Sequence, residues 1–591
     1  METGDYRVRY WTMLARVQSY VLQGIDALPC EVEVDFDAGK DFAPDDKTKT
    51  ITVGLPDVAV KESIERVRSA MANSGYIPHR GHTLINLAPA DIRKEGPLYD
   101  LPIALGLLIT QGVVSPTGGK PSGAQVMVKS ARERRGLPVA PAFRPVAKPE
   151  SAEARKPFDP FAEPGPEEED IARKGEATEP LDYRQYLFAG ELALDGRLRP
   201  IRGVIAMAAL AKARGLRGVV VPADNAPEAA VVPGVEAIGV ATLAELVGLV
   251  NGNIEPRPHP PADVSALLAA GHATVDFADV RGQEAVKRAI VVACAGSHNL
   301  IMLGPAGTGK TMMARALPGV LPPLTPEEAI EITRIYSAAG MLPTARDGGQ
   351  ASGLITVRPV RSPHHTASSA AIVGGGAIPR PGEISLAHRG VLFMDELPEF
   401  PRDVLETLRQ PLEDHVVTIA RSHSAVRFPA SFMLVAAMNP TQKGDMPSDE
   451  FGRKQMDRYL AKISGPLIDR IDIHVEAPAV PWKQLSAAPR GTSSQQMREA
   501  VLAARELQIR RQGATTPNAR LSGRQLDQFA AMSEDARTML GQAMTELGLS
   551  ARAYDKIRRV SRTIADLAGT EQVAADHIAE AVQYRLLDRK V

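Results

Sequence analysis

The chain has 591 residues, which is too long for a single hydrophobic core and favours three or four structural units. Hydrophobic residues make up 44% of the chain, charged residues make up 24%, and the formal net charge is -1, which excludes a uniformly basic coat for nucleic acid but not a local basic channel. No apolar run is long enough to cross a bilayer, so we expect a cytoplasmic protein that makes no membrane contact.

The first folded region is expected to be split by a long insert. Before the insert, alternating residues predict strands at 31–36 and 47–55, and apolar periodicity predicts helices at 59–74 and 101–111. The segment 116–182 contains eleven prolines and lacks apolar periodicity, a composition that predicts disorder.

Regular patterns return after the insert, with two short strands around a turn, a helix at 204–214 and the strand GVVVP. We therefore expect residues 13–115 and 183–251 to form one domain. Residues 1–12 are expected to be an N-terminal extension, and the proline-rich segment 252–275 is expected to be a linker.

The second half of the chain predicts two further regions. Residues 276–481 alternate strands and helices around a glycine-rich loop, which is the pattern of a parallel α/β sheet. Residues 482–591 are nearly all helical in pattern, with helices expected at 495–512, 534–547, 551–567 and 574–586.

A phosphate-binding loop is predicted by the pattern G-x-x-x-x-G-K-[ST], which here follows a short apolar strand and opens a helix. The residues of this predicted ATP site are Gly304, Pro305, Ala306, Gly307, Thr308, Gly309, Lys310 and Thr311. Backbone N–H groups of such a loop can hold the β-phosphate. Lys310 would supply the cation for the phosphates, and Thr311 would be a ligand of Mg²⁺.

Two further strands predict the rest of a hydrolytic site. The apolar run VLFM is followed by Asp395 and Glu396, and we expect Asp395 to hold Mg²⁺ and Glu396 to polarise the attacking water. The apolar run FMLVAAM ends at Asn439, whose amide could position that water. An isolated Asn in that place would more often be a turn former, but the strand comes in the expected order.

Two arginines are candidates for the charge that develops on the γ-phosphate, because a planar guanidinium suits several oxygens at once. Arg470 lies in SGPLIDRIDIH, and Arg552 opens the helix in LSARAYDKI. Spacing alone favours ordinary salt bridges for both of them.

The motifs together resemble the YifB/ComM family, in the magnesium-chelatase-like branch of the AAA+ ATPases. The resemblance covers most of the chain and includes VGLPDVAVKESIERVRSA, RSPHHTASSAAIVGGG, LRQPLEDHVVTIAR and KISGPLIDRIDIHVEAP. It implies an α/β protein with a Lon-protease-like (ribosomal S5 domain 2-like) N-terminal α+β domain, an AAA+ P-loop core and a C-terminal helical lid.

The same resemblance implies roles for three residues and a substrate. Asn439 would be sensor 1, Arg470 the arginine finger that acts on the neighbouring subunit, and Arg552 sensor 2 on the lid. A finger that acts on a neighbour implies a ring, which is a homo-hexamer in this family. ComM-like members are DNA helicases that promote branch migration during integration of transforming DNA.

This chain departs from the family pattern in three places. Family members often carry cysteines soon after the AAMNP motif, whereas the stretch here has no cysteine and no histidine, so we expect no zinc. The proline-rich insert and residues 1–12 also have no family counterpart.

Three alternative functions compete with a DNA motor. A Lon-type peptidase is disfavoured because Leu98 and Met207 stand where a serine nucleophile and a lysine base would be needed. A magnesium chelatase motor subunit usually lacks the first domain, and the pair His364-His365 favours a packing or ring contact over metal binding. A MoxR-like protein-remodelling chaperone remains open.

A hairpin at 415–427 is the candidate contact for single-stranded or branched DNA. Its predicted tip consists of Arg421, Ser422 and His423, which offer a cation and a hydroxyl for phosphate oxygens. An ordinary exposed hairpin is an equally good interpretation of the sequence alone.

Overall fold

The computed structural model describes 12 stretches of the chain. They are residues 13–37, 49–77, 82–115, 179–342, 353–376, 379–421, 424–440, 459, 461–481, 491–514, 516–585 and 587. The expected N-terminal extension and most of the expected insert, residues 116–178, therefore lie outside the described residues. Most of the described chain up to residue 261 forms one compact unit, and residues 262–587 form most of a second.

The first unit begins with a four-stranded sheet and two helices. Its strands and helices are β1 (Met13–Gln23), β2 (Asp26–Asp37), β3 (Lys49–Val53), α1 (Val58–Asn73), β4 (His82–Ala88) and α2 (Asp100–Thr110). The strand order is β1-β2-β4-β3, with β2 antiparallel and β3 parallel to β4. Valines of β2 point inward and its acidic residues do not, as the alternation predicts.

The first unit continues after the insert with a second, parallel sheet. Its elements are β5 (Tyr186–Phe188), β6 (Glu191–Leu192), β7 (Leu198–Arg199), α3 (Val204–Ala213), β8 (Gly218–Pro222), α4 (Ala226–Ala229), β9 (Glu236–Val240) and α5 (Leu243–Val250). Strand β8 is buried along its whole length, as a continuous apolar run in a parallel sheet should be. One hydrophobic core contains residues from both sides of the insert, such as Val34 and Phe188.

The predicted disorder is wrong at the end of the insert. Leu181 is buried and its N–H donates to the carbonyl of Leu249, while the carboxylate of Asp182 accepts from the N–H of Arg184 and caps a short 3-10 turn. The expected linker also contains a helix, α6 (Val264–Ala270), which begins at the capping side chain of Asp263.

The second unit is built on a five-stranded parallel sheet, which confirms the mixed α/β architecture. Its elements up to residue 440 are α7 (Glu284–Gly296), β10 (Leu300–Leu303), α8 (Lys310–Ala316), α9 (Pro326–Ala339), β11 (Val360–Arg361), α10 (Ser369–Val373), β12 (Gly374–Gly375), β13 (Arg380–Pro381), α11 (Glu383–Leu386), β14 (Val391–Met394), α12 (Arg402–Thr407), α13 (Arg409–Asp414), β15 (Val416–Arg421), β16 (Ser424–Pro429) and β17 (Met433–Met438). The chain then adds α14 (Gly465–Ile468) and β18 (Ile473–Glu476). The strand order is β11-β14-β17-β10-β18, and all four neighbouring pairs are parallel.

In the described chain, five α-helices follow residue 491, and four of them pack against the same core. The five helices are α15 (Ser494–Gln512), α16 (Gly523–Phe529), α17 (Glu534–Glu546), α18 (Ala551–Leu567) and α19 (Ala575–Gln583). The buried apolar residues of α15, α17, α18 and α19 join those of α7 and the sheet in one hydrophobic cluster, whereas Leu526 of α16 forms a small separate cluster with Leu521 and Ala530. Within the described residues, no helix is both long and apolar enough to span a bilayer.

Candidate functional site

The predicted phosphate-binding loop joins β10 to α8 at the carboxyl edge of the parallel sheet. Gly307 and Gly309 have φ angles of 81° and 85°, which favour glycine because a side chain there is strained. Gly304 is required for a different reason, because a Cβ atom on it would lie 2.1 Å from the carbonyl oxygen of Ala477. The glycines therefore let the loop turn tightly and let its backbone approach β18.

Lys310 lies inside the loop and contacts the end of β17. Its Nζ donates to the carbonyl oxygens of Gly304 at 2.7 Å and Pro305 at 2.8 Å, and to Oδ1 of Asn439 at 3.2 Å. Burial lowers the pKa of Lys310, while the carboxylates of Asp395 and Glu396 act in the opposite direction. The structure thus brings the predicted sensor 1 amide to the predicted phosphate-binding lysine.

Thr311 and Asp395 form an oxygen-rich pair beside the loop. Thr311 Oγ1 donates to Asp395 Oδ2 at 2.7 Å, and Asp395 Oδ1 accepts the backbone N–H of Glu396 at 3.1 Å. Mg²⁺ prefers hard oxygen ligands and commonly takes one or two protein oxygens together with substrate phosphates. The hydroxyl and the carboxylate therefore fit Mg²⁺ bound with ATP.

Glu396 follows β14 in a left-handed backbone conformation, with φ of 53°. That conformation is uncommon for a residue other than glycine and is often found at functional sites. The side chain is 47% exposed, and its Oε2 lies 3.5 Å from Nδ1 of His365. Glu396 thus lies at the same end of the parallel sheet as Lys310 and Thr311, and its carboxylate contacts the imidazole of His365.

His365 is the neighbour of Glu396 that the sequence did not reveal. The two adjacent histidines lie in a loop, with ring centroids 4.1 Å apart. The contact between His365 and Glu396 follows from the strand order, because β11 and β14 are parallel neighbours and the residues after both strands meet at the same end of the sheet.

The two predicted arginines lie together at the end of the sheet where β10 and β18 begin, opposite the end that carries the phosphate-binding loop. Arg552, at the start of α18, donates to Asp469 at 3.2 Å, and Arg470 donates to Glu413 and to the carbonyl of Pro466. Both arginines line one open cavity of about 1120 Å³.

The length of the sheet separates these arginines from the loop of their own subunit. The backbone after Arg470 enters β18 at the level of Asn299, before β10, whereas the loop begins after Leu303. Four strand residues at about 3.3 Å each put the two edges roughly 13 Å apart. The structure therefore does not bring Arg470 or Arg552 to Lys310 of the same chain.

The hairpin predicted at 415–427 is present as β15 and β16, which are paired in register from Val416 with Pro429 to Arg421 with Ser424. Ser422 and His423 lie outside the described residues. Residues 441–458, where family members often carry cysteines, lie outside them as well. In the remainder of the chain that the structure describes, no group of three or more His, Cys, Asp or Glu residues could hold a metal ion.

These features define a P-loop nucleotide-binding core, and family models agree with that class. A model described as magnesium chelatase, subunit ChlI, matches residues 276–485, and a model of the C-terminal part of that subunit matches 491–585. A third, described as subunit ChlI of Mg-chelatase, matches 32–121 and 172–225 in the first unit. The fold and site are thus those of a magnesium-chelatase-like, AAA+-type ATPase.

Relatives over the whole length narrow the class further. The chain is 38% identical over 583 residues to competence protein ComM of Haemophilus influenzae and 38% identical over 581 residues to YifB of Escherichia coli, with 98% of each chain covered in both cases. The 38 kDa subunit of the magnesium chelatase of Rhodobacter capsulatus is 28% identical over 204 residues, which are 32% of this chain and 57% of that one. The chain belongs to the YifB/ComM family.

Proposed function

We propose that this chain hydrolyses ATP with Mg²⁺ at the edge of the sheet where β10, β14 and β17 end. Lys310 binds the phosphates, and Thr311 and Asp395 hold the Mg²⁺ ion that neutralises phosphate charge. Glu396 accepts a proton from the attacking water, and Asn439 orients that water. The support is the contact of Lys310 with Asn439 and of Thr311 with Asp395 in one cluster.

We further propose that the active enzyme is a ring, a homo-hexamer, in which each ATP is hydrolysed between two subunits. The observation that carries this proposal is the position of Arg470 and Arg552 at the edge opposite their own loop. A guanidinium there is out of reach of the γ-phosphate in its own subunit, but both arginines line an open cavity, where a neighbour can present its nucleotide. Arg470 then acts as the finger and Arg552 as the second sensor.

The ring can be tested by mixing inactive subunits. Arg470→Ala alone should lose at least about a thousandfold in turnover, because an arginine finger accelerates hydrolysis by about 10³- to 10⁵-fold. Mixing it with Lys310→Ala should restore part of the activity, since some interfaces then pair an intact loop with an intact finger. Rings shown to contain both variants that stay inactive would exclude action on the neighbour.

DNA is the proposed substrate, and the proposed activity is that of a helicase or translocase that promotes branch migration in recombination of transforming DNA. The support is the near full-length similarity to a protein named for competence, together with the hairpin that ends at Arg421. The net charge of -1 requires that any DNA contact be local. Binding should then weaken with salt with a modest slope, roughly 0.7 to 0.9 for each phosphate neutralised.

The experiment is ATP-driven migration of a synthetic branched junction. Arg421→Ala should weaken DNA binding equally for all sequences, because the contact is to phosphates, while hydrolysis without DNA survives. A ring that neither binds DNA nor moves the junction would refute the helicase function. If an unfolded protein then raises ATP hydrolysis, the chain is a MoxR-like remodelling ATPase instead.

The first unit is proposed to be a Lon-protease-like module without catalysis, used for binding or assembly. Met207 is fully buried in α3 and Leu98 is packed against the core, so neither position presents a nucleophile or a base. ATP-dependent cleavage of casein by the pure protein would refute this proposal. A role as a magnesium chelatase motor is less well supported, because the individual magnesium chelatase subunits that the chain resembles each match only about a third of it, whereas ComM matches 98%.

A further inference from the structure

The backbone that carries Arg470 is held by cations from the C-terminal helical region. Nζ of Lys556, on α18, donates to the carbonyl of Ile471 at 3.1 Å. The guanidinium of Arg585, just after α19, donates to the carbonyls of Ile471 at 2.7 Å and Asp472 at 3.1 Å. The two residues that follow Arg470 are therefore fixed by side chains more than 80 residues away along the chain.

The carboxylate of Asp472 completes this attachment. Its Oδ1 lies 3.2 Å from Nζ of Lys556, and its Oδ2 lies 3.1 Å from Nδ1 of His298. Nε2 of the same imidazole lies 2.8 Å from the hydroxyl of Thr563, two turns further along α18. Burial alone would raise the pKa of Asp472, but Lys556 and His298 outweigh it and hold that pKa well below its usual range.

All of these groups are buried, which makes the attachment strong. Lys556, Asp472 and His298 are each less than 9% exposed. Removing one partner of a buried, hydrogen-bonded ion pair leaves an uncompensated charge, which is far more costly than loss of a surface pair. We therefore expect the segment 470–472, which carries the proposed arginine finger, to move together with α18.

We expect Arg552 to move with them as well, because it lies one helical turn before Lys556 on α18 and pairs with Asp469. Both arginines that the proposed ring needs are thus set by a single buried network. We propose that Lys556 and Asp472 are positioning residues that fix the arginine finger for the neighbouring active site. This proposal rests on the proposed action of Arg470 on the neighbouring subunit.

The test uses Lys556→Met in full-length rings. This change keeps a long, unbranched side chain but removes the positive charge and the hydrogen-bond donor to the carbonyl of Ile471. We expect turnover to fall by about 10- to 100-fold, since a misplacement of about 1 Å can cost 10² in rate. KM for ATP should stay within about twofold, because the nucleotide site of the altered subunit is intact. Arg537→Met, an exposed change on α17, is the matched control and should turn over like the parent.

Mixing identifies the site that is damaged. Lys556→Met mixed with Lys310→Ala should regain activity, because the second variant supplies an intact finger to the first variant's loop. Lys556→Met mixed with Arg470→Ala should not regain it, because neither variant supplies a positioned finger. Rescue by Arg470→Ala instead, or turnover of Lys556→Met alone at the parent rate, would overturn the positioning role.

Two further measurements keep this test decisive. If Lys556→Met does not enter rings, Asp472→Asn, which preserves size and loses the charge, is mixed in the same way with the same expected outcomes. The mixture of Lys310→Ala with Arg470→Ala tests the underlying assumption. If that mixture stays inactive in rings that contain both, the action of Arg470 on a neighbour fails and the positioning role fails with it.

Discussion

Replacement of His365 by alanine tests how the candidate catalytic carboxylate is oriented. Strand β11 is at the edge of the sheet, beyond β14, whereas the phosphate-binding loop follows β10 on the other side of β14. The contact of 3.5 Å between His365 and Glu396 therefore draws the carboxylate toward the outermost strand, β11, and away from the phosphate-binding loop. Because a general base must reach the attacking water, loss of this contact should favour the productive orientation.

The exposure of the pair limits the size of the effect. The side chains of His365 and Glu396 are 34% and 47% exposed. A polar contact between side chains as exposed as these contributes about 0.2 to 1 kcal/mol, and about 1.4 kcal/mol corresponds to a factor of ten. The population of the competing orientation therefore changes by a factor of about 1.4 to 5. We expect His365→Ala to raise ATP turnover without DNA by no more than about fivefold.

The assay is steady-state ATP hydrolysis with and without DNA, with kcat and KM separated. His364→Ala is the matched control, because His364 contacts Thr366 rather than Glu396 and should leave turnover without DNA nearly unchanged. In the Glu396→Gln background, His365→Ala should have little further effect, since the acceptor carboxylate is already gone. A tenfold or greater fall in turnover for His365→Ala would refute this reasoning and make the imidazole a direct aid to hydrolysis.

Three other changes have defined outcomes. Glu396→Gln should keep ATP bound and abolish most turnover, because the Mg²⁺ and phosphate contacts stay while the base is lost. Binding of a labelled nucleotide and ATP hydrolysis are measured on the same variant, and hydrolysis at the parent rate would contradict this role of Glu396. Asp566→Asn should lower the free energy of unfolding by about 3 to 5 kcal/mol, measured by urea denaturation, because this fully buried carboxylate pairs with two arginines; a loss below about 1 kcal/mol would contradict the pairing. The hydrogen bond from His388 and the nearby arginine lower the pKa of Glu331 from 4.5 to about 2, so its contribution to stability is complete above about pH 4.5 and is lost as the pH falls toward 2. Glu331→Gln should therefore flatten the acid limb of the stability curve in that range, and an unchanged limb would contradict the shift.

The elements that the sequence predicted well are those with strong local signals. The strands β10 and β14 are four-residue apolar runs that are buried on both faces, and each is followed by polar residues with recognisable spacing. The helix α18 was predicted at its observed bounds, because its apolar stripe is strong and Ser550 caps its first turn. Local pattern was sufficient in these cases because burial and capping act on neighbouring residues.

Contacts that depend on strand order could not be predicted in the same way. Nothing near His365 in the sequence indicates Glu396, because the contact exists only once β11 lies beside β14. The attachment of Asp472 to Lys556 spans 84 residues and arises from the packing of α18 against the start of β18. The end of the insert was missed for a related reason, since Leu181 is ordered by a distant carbonyl rather than by its own neighbours.

The position of the two arginines has an energetic consequence for assembly. Arg552 pairs with Asp469 and Arg470 pairs with Glu413, so each guanidinium must give up a carboxylate before it can reach a neighbour's phosphate. The side chains of Arg552 and Asp469 are 70% and 35% exposed, and a pair of this kind costs about 0 to 1 kcal/mol to break. The side chain of Arg470 is only 15% exposed, so its pair with Glu413 costs more to break. A finger that accelerates hydrolysis 10³- to 10⁵-fold stabilises the transition state by about 4 to 7 kcal/mol. Release of Asp469 from Arg552 therefore consumes a minor part of that gain. Release of Glu413 from Arg470 costs more, and it is offset when the guanidinium gains the neighbour's phosphate as its new charged partner.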